Sequence, residues 1–153
     1  MIRGWLTGQC GGRFLGAPAP VVVGVVVGAL DGRPHPRAWE GLIDTGAYRS
    51  VVPREICDEL GLVPREWREP AGFDPGAPVR PSPVYFLVAC LPGIGDVRLK
   101  AYGVPKSYLV LGRDLLQGLS FCMDGPRRTW SLVSSISAAA WGAMVAGMRR
   151  QRE

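Results

Sequence analysis

The chain of 153 residues has one histidine, four cysteines, and no apolar run approaching the roughly 20 residues that a membrane-spanning helix needs. A single histidine excludes a zinc centre built from several. His35 stands between Pro34 and Pro36 and reads as an exposed loop residue with no catalytic role. The sequence has no G-x-S-x-G elbow, the mark of a Ser-His-Asp hydrolase. It also lacks a G-x-x-x-x-G-K-[ST] loop, which excludes the usual nucleotide hydrolases. Cys10, Cys57, Cys90 and Cys122 are spaced 47, 33 and 32 residues apart, neither a redox pair nor a zinc knuckle. They read as buried small hydrophobes in a reducing compartment, and a cytoplasmic location is expected. Net charge is modest at +5, and Arg149, Arg150 and Arg152 against Glu153 account for +2 of it. A solvated basic tail explains this, and no nucleic-acid partner is implied. The apolar run Val21 to Leu30 has only ten residues and is rich in β-branched valine. A strand explains it better than a signal peptide does.

What is abundant is glycine, 21 residues, and proline, 14, in a chain that is 47% hydrophobic. Both residues break helices, so many short strands joined by turns are expected around one core, an all-β domain. Residues 1–16 form a glycine-rich arm, residues 17–133 the domain, and residues 134–153 a helical tail. Val21 to Val27 reads as a strand buried on both faces or at a subunit contact. Asp31 to Pro36 reads as a turn, and Trp39 to Ile43 as extended chain. A short helix follows Pro53, with Ile56 and Leu60 one turn apart and Gly61 as its stop. The proline-rich stretch 64–83 is either a long loop or a loosely paired hairpin. Val84 to Leu91 and Val97 to Tyr102 form a hairpin around Pro92-Gly-Ile-Gly-Asp. Leu109 to Leu111 is a buried strand, and Leu119 to Met123 and Thr129 to Val133 pair across Asp124-Gly-Pro. From Ser134 the pattern turns helical.

Two motifs carry chemistry. The first is Leu42-Ile43-Asp44-Thr45-Gly46-Ala47 followed by Ser50-Val-Val, a carboxylate on a tight turn directly after a buried strand. The second is Leu109-Val-Leu-Gly112-Arg113-Asp114-Leu-Leu, an apolar strand, a glycine, a charged pair and a short helix that can pack under the Asp44 turn.

With both motifs present in this order, about 65 residues apart, the sequence resembles the retroviral-type (retropepsin-like) aspartic proteases over roughly Pro20 to Val133. The resemblance implies a closed, barrel-like all-β domain with one or two short helices, to which a C-terminal helix is appended here. It implies peptide-bond hydrolysis with Asp44 as the catalytic residue, and Thr45, Gly46 and Ala47 supporting its loop. Gly112, Arg113 and Asp114 are the second-motif supports. Two carboxyl groups about 3 Å apart share one proton. The ionised one takes a proton from water while the neutral one protonates the carbonyl oxygen. No metal and no organic cofactor is required. Gly46 lets the backbones approach closely, and in the family Thr45 hydrogen-bonds across a dimer interface. One Asp-Thr-Gly supplies one carboxylate. Asp74-Pro-Gly-Ala lacks the hydroxyl, follows no buried strand, and lies only 30 residues on. A homodimer acting on a polypeptide substrate is therefore expected.

The sequence departs from the family in two places. Family members close a hairpin flap over the substrate. Residues 70–83 stand in its place, with Gly72, Phe73 and Gly76 as flap candidates, but prolines replace its hydrogen-bonding strands. Tyr48 and Arg49 stand where viral enzymes often carry acids. Arg113, which pairs with such an acid in those enzymes, needs another partner; Asp114, Asp58 and Glu59 are candidates. A second reading is a catalytically inactive dimerisation or peptide-binding module of the same fold. The helix expected from Ser134 to Arg150 packs on its own domain or a partner copy, with membrane-surface association as the secondary reading.

Overall fold

The computed structural model describes residues 9–13, 20–70 and 80–134. They form ten strands and two short helices. In chain order these are β1 (Gln9–Arg13), β2 (Val21–Gly28), β3 (Pro34–Ile43), β4 (Val51–Pro53), α1 (Arg54–Glu59) and β5 (Glu66–Arg68). Then come β6 (Ser82–Leu91), β7 (Gly95–Val104), β8 (Leu109–Leu111), α2 (Arg113–Leu116), β9 (Leu119–Asp124) and β10 (Thr129–Ser134).

Seven strands join in the order β2-β3-β8-β4-β7-β6-β5, and β2 also pairs with β6. That extra pairing closes six of them into a barrel, with β5 attached along the other part of the β6 edge. Closure removes sheet edges that would otherwise pair with other chains. The barrel encloses the core, in which Val22, Val25, Leu87, Leu91, Leu109 and Leu111 are almost wholly buried.

β2 shows how the sequence sets this up. Of the two readings of the valine run, burial on both faces does not hold within the chain. Instead it alternates, with Val22, Val25 and Val27 inside and Val23 59% exposed. Its register against β3 shifts between Val22 and Val25, where Gly24 takes φ +82°, a conformation that disfavours any side chain. The bend brings the end of β2 onto β6. α1 is closed off by Gly61 (φ +65°), two residues past its last helical residue, whose N–H bonds the Asp58 carbonyl while that of Leu62 bonds the Cys57 carbonyl. This closing pattern leaves the helix face carrying Ile56 and Cys57 against the core.

Several expectations change. β3 starts at Pro34, so the turn before it is shorter than the sequence suggested. His35 is not on an exposed loop: it is 3% exposed and faces inward, while Pro34 and Pro36 on either side of it face outward, as alternation along a strand requires. Its ring packs against Trp39 at 5.8 Å between centroids, and Nδ1 lies 3.4 Å from the Trp39 indole nitrogen. With Nδ1 accepting from Trp39 and from the Arg37 N–H, the hydrogen-bond network assigns the ring proton to Nε2, 2.8 Å from Glu59 Oε2. The stretch 64–83 takes the hairpin alternative at its base, where Glu66 to Arg68 pair with Val84 to Ser82.

A second sheet, β1-β10-β9, packs beside the barrel. β1 comes from the segment read as an arm, and it pairs antiparallel with β10 from Gln9 opposite Val133 to Arg13 opposite Thr129. The tail helix falls outside the described residues beyond Ser134. Among the described residues no helix is long and apolar enough to cross a membrane.

Candidate active site

Two strand ends meet at the site. β3 and β8 run parallel with Ile43 opposite Leu111, and the Asp44 N–H donates to the Leu111 carbonyl at 3.1 Å. The pairing thus continues one residue past the strands before the chains part. Asp44 Oδ1 accepts the N–H of Gly46 at 2.9 Å and of Ala47 at 3.3 Å, so the carboxylate itself folds the turn. Oδ2 has no hydrogen-bond partner among the described residues. One oxygen therefore fixes the side chain and the other remains available on a half-buried group.

The second motif supports this turn from behind. A Cβ on Gly112 would lie 2.7 Å from the Arg49 carbonyl carbon and 2.9 Å from the Ser50 nitrogen, so only glycine lets the two backbones touch. Ser50, completely buried, is the hub between them. Its hydroxyl accepts the Gly112 N–H at 2.9 Å and donates to Asp114 Oδ1 at 2.7 Å, while its own N–H reaches the same oxygen at 2.8 Å. The Arg113 N–H closes the contact on the Ala47 carbonyl at 2.9 Å. Buried backbone groups of two turns are thereby satisfied by each other, which holds the geometry firmly.

A cleft of about 590 Å³ opens over the turn, lined by Asp44, Gly46, Ala47, Tyr102, Lys106 and Val110 among others. Glu69 and Pro70 reach its rim. The flap candidates Gly72, Phe73 and Gly76 lie outside the described residues. Among the described residues no three His, Cys, Asp or Glu side chains are grouped as metal ligands.

The structure therefore joins the two motifs, Asp44 meeting Leu111, Ala47 meeting Arg113, and Arg49 and Ser50 meeting Gly112 and Asp114. Thr45 is exposed, and its hydroxyl has no partner among the described residues. One expectation about partners changes. Arg113 pairs with none of its three candidates: Asp114 is turned to Ser50, and Glu59 of α1 meets His35 of β3, with Asp58 beside Glu59 in the helix. The Arg113 guanidinium instead lies 5.7 Å over the Tyr48 ring. Asp114 belongs to the link between the motifs.

Among solved structures, the crystal structure of a retropepsin-like aspartic protease from Rickettsia conorii is similar, with a TM-score of 0.57 over 87% of this chain and 97% of that one. The fold is retropepsin-like. Sequence identity is 13%, and no family model and no curated protein matches the chain. The likeness is thus one of backbone course. Within the retropepsin-like fold of this chain, the site residues rest on the geometry just described.

Ser50 is a supporting residue that the sequence shows only as the residue following the first motif, with no role of its own. The signal in the sequence is only that a small hydroxyl entering an apolar strand must find partners if it is buried; it does not name them.

Proposed function

We propose that the chain is an aspartic endopeptidase that acts as a homodimer, each copy contributing Asp44. The observation that carries this reading is the Asp44 carboxylate itself. One oxygen is bound into a rigid turn and the other left over, at the floor of a cleft large enough for several residues of an extended peptide. A lone carboxylate is a weak catalyst for amide hydrolysis, because the attacking water needs a base while the carbonyl oxygen needs an acid. A second Asp44 across a two-fold axis supplies the missing role, and the pair then holds one proton between them. The exposed Thr45 hydroxyl beside it suits a bond to the partner turn. The retropepsin-like fold supports the same reading at the level of backbone.

In the proposed step, one carboxylate takes a proton from the bound water, whose oxygen attacks the peptide carbonyl. The protonated partner donates to the carbonyl oxygen as it becomes tetrahedral. Collapse of that adduct breaks the C–N bond, with the proton passing to the leaving nitrogen. Incubation with unstructured peptides at mildly acid to neutral pH, wild type beside Asp44→Asn, tests this. Cleavage by the wild type with loss of at least a thousandfold in the variant is the expected result, on the scale of removing an essential acid–base group. Equal cleavage by both removes Asp44 from the mechanism. Binding without cleavage by either favours a peptide-binding module.

A further inference from the structure

Beside the Asp44 cleft lies a second depression of about 330 Å³ that shares Tyr48 and Arg49 with it. Its lining is basic: Arg49, Lys100 and Arg113 face a single carboxylate, Asp114. Lys100 is already paired with Glu66, and one oxygen of Asp114 is taken by Ser50. The two arginines differ from Lys100, since neither has a carboxylate within ion-pair distance among the described residues. The Arg49 guanidinium lies 5.6 Å over the Tyr102 ring and reaches the Lys100 carbonyl at 3.4 Å, while its Nε is buried without an acceptor. The Arg113 guanidinium lies over Tyr48, itself 73% exposed. Aromatic faces of this kind steady a guanidinium without neutralising it.

A planar fork with unused donors fits a carboxylate better than any other peptide side chain, through two parallel charge-assisted bonds. We propose that Arg49 and Arg113 form an anion-recognising subsite, which selects peptides carrying an Asp or Glu side chain on the wall adjoining the Asp44 cleft. The proposal rests on the peptidase reading and adds its substrate class. A peptide bound as a strand turns alternate side chains to the same wall, so the preference falls on positions of one parity along the substrate. The subsite is partly open to water, so the preference weakens with salt.

Matched peptides differing only by Glu or Gln, scanned along the positions flanking the cleaved bond, test this in two ways. One is kcat/KM with the wild-type chain; the other is binding to Asp44→Asn by fluorescence anisotropy. The expected result is a preference for Glu of about tenfold at low salt, the scale of one charge-assisted hydrogen bond. It is carried mainly by KM and reduced at high salt. Arg49→Glu turns the preference toward a Lys-bearing peptide, and Arg49→Lys retains part of it. The readout is the ratio between peptides, which a general loss of activity leaves unmoved. If Arg49→Glu fails to fold, the wild-type ratio, its salt dependence and Arg49→Lys decide. Cleavage abolished by Asp44→Asn but indifferent to Glu or Gln overturns the subsite and leaves the peptidase standing. Tighter binding of the Glu peptide without any cleavage upholds the subsite and overturns the peptidase. Absence of binding to either peptide overturns the subsite.

Discussion

At the scale of single residues, Ser50 holds the two halves of the site in register, because its hydroxyl accepts from Gly112 and donates to Asp114 at once. Removing that oxygen leaves a buried N–H at Gly112 with no acceptor and takes one of two donors from Asp114, whose other oxygen is already buried without a partner. Ser50→Ala is therefore expected to lower stability by about 2–3 kcal/mol, the cost of orphaning a buried donor and weakening a bond to a charged group. Urea unfolding checks the magnitude. A loss below about 0.5 kcal/mol would show that water replaces the hydroxyl and that the hub is not structural. Asp44 and Gly112 were legible in the sequence, because turn chemistry and the strand–glycine–helix order are local. Ser50 was not. Its partners lie more than sixty positions away, and nothing short of the fold shows that a serine there will be wholly enclosed. Arg113 failed for the related reason that charge alone does not name a partner, and an aromatic face three-dimensionally nearby took it instead.

At the scale of elements, α1 shows how a short helix is held by what it buries. Its Cys57 faces the core, and burial, reinforced by Asp58, pushes the thiol up to about 12 from an ordinary value of 9.0. The folded chain thus keeps a proton that the unfolded chain releases. The associated stability is fully present below about pH 9 and is lost as pH climbs toward 12. Over that window the urea midpoint of the wild type is expected to fall more steeply than that of Cys57→Ala, whatever the cavity does to the absolute value. Tyr85 is raised too, by burial first and by the neighbouring Cys57 second; the burial part is common to both proteins, and the part due to Cys57 disappears with the thiol and so belongs to the same difference in slope. Parallel slopes would mean that the thiol meets water in the folded state. Most strands were legible from β-branched runs and turn residues. The alternation within β2 was hidden because every position is valine or glycine, so composition carries no inside–outside signal. The burial of His35 was hidden by its flanking prolines, which mark turns in general but also suit the first residues of a strand.

At the scale of the whole molecule, the chain closes its barrel through β2–β6 and ties its early strand β1 to β10, yet it presents one Asp-Thr-Gly turn. If catalysis needs two such turns related by a two-fold axis, activity belongs to pairs of chains and depends on composition in a calculable way. Wild type and Asp44→Asn, unfolded and refolded together, partition at random into three kinds of dimer. Only those with two aspartates have both the base and the acid. With a threefold excess of variant, the fraction of wild-type chains paired with one another falls to about a quarter, and activity per wild-type chain should fall by the same factor. Diluting the wild type alone should also lower its specific activity once dissociation sets in. Activity per wild-type chain that ignores both the excess of variant and the dilution would place the whole reaction within one chain, and a single carboxylate would then have to serve as acid and base in turn.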